Sequence, residues 1–314
     1  MRRLSEWWFA PAPAERLAAV RIFVGAFGLL WVGGRLMESY AVAKLGAAHF
    51  KPTGVVRLLD TPLPPSVTLA IGIITCVFLA AFTLGAFYRI TAPLAALGVL
   101  WALTYRNSFG MIFHTENLLV MHMLALACAP AADAWSIDRA RLRAAPPVPE
   151  AGYGWILKLL AALTAATYMM AGIAKLRIAG VAWLDGEQLR NQIAVDNLRK
   201  ALLGDSIAPL ATPFLDHPSG FTIFSVMTIV LELGAPLVLL HPRAAKLWAL
   251  GAWGFHVGVV FLMNIWFPYP LLGLAYLPLL RCERPFDWVI GWWRRWRAKR
   301  AGPRAGNVPP ATPG

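Results

Sequence analysis

Charge is scarce in this sequence. Only 14% of the 314 residues are Asp, Glu, Lys or Arg, against roughly a quarter in a typical soluble domain. Acidic residues are the scarcest of these: 16 stand against 29 basic ones, giving a net charge of +13. Hydrophobic residues make up 58%, with a mean hydropathy of +0.58. A soluble fold of this length has too little polar surface to cover that much apolar side chain, whereas a bilayer accepts it. The positive charge does not form one patch, so nucleic acid is not an expected partner. Much of it flanks apolar runs, where Lys and Arg set membrane orientation. Cysteine is almost absent: Cys76, Cys128 and Cys282 lie in or at the ends of apolar runs and imply no disulfide framework. No C-x-x-C or clustered His/Cys spacing suggests a metal. A nucleotide-binding glycine loop, G-x-S-x-G and H-E-x-x-H are all missing, which excludes the commonest ATPase and protease signatures. No period of 20–50 residues repeats, which argues against a solenoid.

Long apolar runs are what the sequence does have. A bilayer-spanning helix needs about 20 such residues. The runs fall at about 17–38, 67–87, 91–106, 112–130, 155–176, 221–241, 244–265 and 267–281. The predicted fold class is therefore all-α, a polytopic bundle of eight transmembrane helices in the cell membrane. With the N-terminus inside, the inner loops and the C-terminal tail carry more Lys and Arg than the outer loops, which places both termini in the cytoplasm. The start, MRRLSEWWFAPAPAER, lacks the form of a signal peptide, and Ala41-Val42-Ala43 lies too far along to be a cleavage site, so the first run reads as an uncleaved span. The domain reading is an interfacial segment over 1–16, a membrane domain over 17–281, a basic, Trp-rich interfacial helix over 282–300 and a disordered tail over 301–314. Tryptophan rings at headgroup level with cations toward anionic lipid make FDWVIGWWRRWRAKR a membrane anchor. The stretch VAWLDGEQLRNQIAVDNLRKALL reads either as a surface lid or as a plain connecting helix.

Ionisable groups inside apolar runs cost on the order of 2.5–3.5 kcal/mol each on insertion scales and therefore mark candidate sites. Here they are Arg21, His114, Glu116, His122, Lys175, Glu232 and His256. In the eight-span topology His114 begins the fourth span and Lys175 ends the fifth, so both reach the extracytoplasmic leaflet at similar depth. A lysine in a dry pocket loses favour for its charged form and can act as a general base; the same residue at a membrane surface simply snorkels to water. His114, Leu118 and His122 are spaced for one helix face, with His122 read as a hydrogen-bonded core group. Glu232 and His256, in adjacent runs, can form a proton-relaying or quinone-holding pair or a self-satisfying structural one. Arg21 is an alternative partner for Glu232. Gly172, beside Ala171, permits close approach of a helix or a flat ring.

At these residues the chain resembles a known family. YMMAGIAKL, Tyr168 to Leu176, resembles the Y-x-x-A-G-x-x-K-L segment of the vitamin K-dependent gamma-carboxylase, whose membrane part is the HTTM (horizontally transferred transmembrane) domain. FHTENLLVMHML, DAWSID (Asp133 to Asp138) and FHVGVVFLMNIWFPY (Phe255 to Tyr269) resemble three further segments of it, in order. WLDGEQL and RIFVGAFGLLW fit more loosely, and the likeness spans most of residues 15 to 280. The resemblance implies that Lys175 is the base toward a vitamin K hydroquinone of menaquinol type, with His114 assisting. It implies hydroquinone epoxidation with or without carboxylation of a protein glutamate; the residues that could contact the quinone are Tyr168, Gly172, His122, Glu232 and His256, with no metal expected. The carboxylase carries a large extracytoplasmic domain after its membrane part. This sequence ends about 30 residues after its last run, so it is expected to lack that domain, and its Ala/Arg/Pro-rich composition suggests a prokaryotic member. Two other readings stay open: a non-enzymatic membrane module for export, immunity or scaffolding, and a small-solute transporter.

Overall fold

The computed structural model describes residues 2–142 and 147–300. The expected disordered tail, 301–314, and Arg143 of the predicted inner loop lie outside them. Among the described residues every element is helical, and the nearest thing to a strand is an isolated bridge between Ala12 and Glu150. The helices are α1 (Arg2–Trp8), α2 (Ala14–Gly33), α3 (Leu36–Ala43), α4 (Pro65–Leu84), α5 (Tyr88–Asn107), α6 (Asn117–Ala127) and α7 (Ile137–Leu142). They continue with α8 (Ala151–Ala179), α9 (Glu187–Leu202), α10 (Ala211–Leu215), α11 (Pro218–Leu233), α12 (Pro242–Met263), α13 (Pro268–Leu271) and α14 (Arg284–Arg300).

The all-α expectation holds, but the eight spans do not. Among the described residues four helices are long and apolar enough to cross a membrane: Ala14–Gly33, Pro65–Leu84, Ala151–Asp185 and Pro242–Met263. The other four runs fail for separate physical reasons. The run at 91–106 does form a 20-residue helix, α5, but Tyr88, Arg89, Arg106 and Asn107 at its ends leave too short an apolar stretch. The run at 112–130 is helical only from Asn117, because Met111 to His114 form an irregular loop; 11 helical residues remain. The run at 221–241 is cut after Leu233 by Gly234 and Pro236. A proline ring collides with the carbonyl four residues earlier and brings no N–H of its own, so Ala235–Leu239 tightens to a 3₁₀ turn. The run at 267–281 holds Pro268, Pro270, Pro278 and Gly273 at φ +76°, and becomes α13 plus a 3₁₀ segment, Leu274–Leu279. The inner and outer loops were assigned by counting those eight runs, so the cytoplasmic placement of both termini goes with the count. The chain remains a multi-pass membrane protein in contact with lipid.

The core lies between α2, α4, α5, α6 and α8, where Leu17, Phe82, Leu119 and Leu160 are fully buried. Helix α8 is central: it packs on α6, on α11 and on the 3₁₀ segments at Ala235–Leu239 and Leu274–Leu279. One interior charge, Arg21, is spent on architecture. Arg21, fully buried on α2, donates to the carbonyls of Ala131, Ala134 (3.2 Å) and Trp135 (2.6 Å) just past α6. It does not meet Glu232. The DAWSID segment is likewise structural. Asp138 accepts backbone N–H bonds from Phe87 and Tyr88, both 2.8 Å, closing the N-terminus of α5, and Asp133 accepts from the Tyr153 hydroxyl at 2.7 Å.

Candidate functional site

Tyr168, Gly172 and Lys175 are spaced four and three residues apart on α8 and share one face. That face meets α11. A Cβ built on Gly172 would lie 3.0 Å from the Glu232 Cβ and 3.0 Å from a Leu233 methyl, so the bare glycine lets α11 come close enough for Lys175 to reach Glu232. The Lys175 ammonium donates to Glu232 Oε1. The two are unequally sheltered: the Glu232 side chain is 3% exposed and that of Lys175 23%. Lys175 Nζ also stands 5.6 Å from the Trp183 ring centroid. The expected span end near residue 176 is not an end, because α8 continues to Ala179 and on through a 3₁₀ stretch, Gly180–Asp185. Lys175 is therefore set back from the end of this element, beside a carboxylate.

His256 is on the neighbouring α12. Its Nε2 is 2.8 Å from the Tyr168 hydroxyl, which is 2.7 Å from that of Tyr276. Trp248 packs edge-on against Tyr168 with centroids 4.8 Å apart. Expected as a pair, Glu232 and His256 share no hydrogen bond; each faces α8, through Lys175 and Tyr168 respectively. His122 is fully buried and bonded to the Tyr269 hydroxyl at 2.7 Å, the Leu160 carbonyl and the Thr164 hydroxyl. That satisfies both ring nitrogens, as a core histidine requires.

His114 departs most from expectation. It lies in the irregular loop before α6, not on the helix, so it does not share a helix face with Leu118 and His122. The loop's geometry is set by Asn107, which exchanges two 3.1 Å bonds with the backbone of Phe113. His114 is exposed and makes no hydrogen bond or ion pair with Lys175. Its ring rests 5.9 Å from Phe267, which lies 5.0 Å from His256. Tyr276, Trp183 and Trp248 are the neighbours that reading the sequence missed. Trp183 opens the W-L-D-G segment and so had a signal; Tyr276 sits in a run taken for an ordinary span and had none.

Four buried polar atoms in this region have no hydrogen-bond partner: Glu232 Oε2, His256 Nδ1, Trp183 Nε1 and Ser225 Oγ. A buried polar group without a partner is uncommon and points to strain, water or a ligand. Glu232 Oε2 belongs to the ion pair itself, Trp183 adjoins Lys175, His256 lies against Tyr168, and Ser225 stands two turns back along α11. Two cavities lie elsewhere. One of about 330 Å³ is bounded by α9, α11 and α12. The other, of about 260 Å³, lies between α5 and α6 beside Glu116, whose carboxylate is 3.5 Å from Arg106. Glu116 lines the second, but neither is lined by Lys175, His114, Tyr168, Gly172, His122, Glu232 or His256. Among the described residues no three His, Cys, Asp or Glu side chains gather as metal ligands.

No curated protein and no solved structure matches the chain. The HTTM domain family matches residues 9–288, from the approach to α2 to the first turns of α14, including every residue of the site. The chain belongs to the HTTM domain family.

Proposed function

We propose that this HTTM protein takes a proton from a lipophilic hydroquinone of vitamin K type at the Lys175–Glu232 pair, in a carboxylase-like or epoxidase-like reaction. The observation that carries the reading is the pair itself, an amine against a buried carboxylate whose second oxygen has no partner. The fit to a hydroquinone rests on the leftover donors and acceptors and on the aromatic surroundings of Tyr168, Trp183 and Trp248. When bound, the hydroquinone supplies two electrons and an acidic hydroxyl. In its base form the pair is one proton poorer than the ammonium–carboxylate pair, and the neutral Lys175 amine accepts that hydroxyl's proton at Nζ. Glu232 balances the resulting ammonium, so a charge appearing in a water-poor site is met at once. Tyr168, held between Tyr276 and His256, presents a fixed hydrogen-bonding wall next to the pair. His114 is linked to this group through Phe267 and His256.

Purified protein incubated with vitamin K hydroquinone and oxygen should form epoxide. Lys175→Ala should lower the rate by at least about 100-fold, the smaller end of what a general base contributes. Glu232→Gln should slow the reaction while leaving some of it. Epoxide no higher than in the Lys175→Ala control would remove the enzymatic reading. The partial exposure of Lys175 and its separation from His114 favour a second reading, a structural ion pair in a non-enzymatic module. That reading predicts that both variants change unfolding temperature alone.

A further inference from the structure

The groove between α9, α11 and α12 is a strip of missing side chains. Gly251, Gly254 and Gly258 fall on one face of α12, and a Cβ built on Gly254 or Gly258 meets nothing within 4 Å. Gly251 admits α11, since a Cβ there would lie 3.0 Å from a Leu231 methyl, but Gly254 and Gly258 admit no neighbour and leave much of the groove's 330 Å³ unfilled. Opposite them stand Phe224, Met227 and Leu231 of α11, and Leu189 and Ile193 of α9 close the far end. From Gly251 to Leu262 the groove follows α12 for about 16 Å at 1.5 Å per residue. Thr228 contributes the one hydroxyl side chain of the lining, and no charged side chain takes part.

The roof is pinned. Lys200 donates to Asp196 (2.7 Å) and to the Met263 and Asn264 carbonyls at the C-terminus of α12. Asn197 donates to the Leu262 carbonyl at 2.9 Å. At the other end of α9, Gly186, at φ +91°, lies so close to α11 that a Cβ would be 2.4 Å from the Thr222 nitrogen. The lining reaches the surface through apolar residues, with Phe224 36% and Met227 59% exposed, beside a helix long and apolar enough to cross a membrane. An occupant therefore enters from hydrocarbon, not from water. Thr228 apart, the interior polar residues of both helices point elsewhere: Glu232 and Ser225 lie about a quarter-turn round α11 from Leu231 and Phe224, and His256 is turned toward Tyr168.

We propose that this groove holds one acyl chain of a membrane phospholipid, retained under α9 as a bound lipid. An elongated, uncharged slot that opens sideways into the bilayer suits a straight hydrocarbon chain whose headgroup stays outside. The occupant is independent of the chemistry at Lys175. The test uses the full chain in mild detergent, native mass spectrometry, and a phosphatidylglycerol carrying a diazirine at mid-chain. Wild-type protein should retain one phospholipid, and the probe should label groove residues of α11 and α12. Gly254→Leu and Gly258→Leu, which place a side chain in open space, should each lose both the retained lipid and the labelling while keeping a cooperative unfolding transition. Lys175→Ala should keep both. The proposal is overturned if wild-type protein carries no phospholipid, if either leucine variant retains it, or if labelling falls outside the groove. It is also overturned if Lys175→Ala releases the lipid, or if an isoprenoid quinone displaces it at equal concentration; either result would assign the groove to the site's own ligand.

Discussion

Gly172 sets whether Lys175 has a carboxylate to meet. Alanine there would bring a methyl to 3.0 Å from the Glu232 Cβ and from Leu233, closer than ordinary packing allows. The exposed Leu233 side chain can turn aside, but the Glu232 Cβ is fixed to the backbone, so α11 itself has to give. Gly172→Ala is expected to cost about 1–3 kcal/mol, as overpacking does, and to lengthen the Lys175–Glu232 contact. Thermal unfolding in detergent reads the cost, and an unchanged midpoint would contradict the close approach. The residues with unusual chemistry were legible one at a time. Lys175, Glu232, His256 and His122 all stood out because a polar group in an apolar run is expensive wherever it goes. Their partners were not legible: Lys175 went to Glu232, His256 to Tyr168 and His122 to Tyr269, and the expected Glu232–His256 and Lys175–His114 contacts are not made.

At the scale of elements, α9 resolves the choice between a lid and a connector: it is latched at both ends. The C-terminal latch is electrostatic and therefore sensitive to pH. Burial raises the cost of ionising Asp196, but hydrogen bonds from Lys200 and Arg199 outweigh it and hold its carboxyl below the ordinary value of 3.8. A carboxyl that is more acidic folded than unfolded stabilises the fold at neutral pH and loses that contribution as pH falls below its ordinary value. Amide exchange in α9, corrected for its intrinsic pH dependence, should therefore be faster relative to α8 at pH 3 than at pH 7. Equal protection at both values would show that the latch carries no stability. Lys200, an ordinary surface cation in the sequence, owes its role to the αL turn at Asn264, φ +47°, which bares the last carbonyls of α12.

Across the whole molecule, the segments that carried the family resemblance divide into two kinds. Those around Lys175 and His256 build the polar region on α8. DAWSID instead ties α2, α5 and α8 together through Arg21, Asp138 and Asp133. Asp138→Ala should remove both bonds at the N-terminus of α5 and cost about 1–2 kcal/mol, as a lost helix cap does, while leaving epoxide formation per folded molecule unchanged. Lower unfolding temperature with intact specific activity is the expected pair of results; a specific loss of activity would move this segment into the site. The sequence alone determined that the chain is all-helical, belongs in a membrane and keeps a few costly polar groups inside, because apolar composition and the penalty for burying charge are local properties. The number of full-length spans and the pairing of those groups were decided by the tertiary structure. Prolines at 236, 268, 270 and 278 broke runs that hydropathy alone joins, and the 3₁₀ extension past α8 set Lys175 back from the end of its element. Which charge meets which then followed from how the remaining helices rotate and pack, and side-chain spacing along one helix does not contain that information.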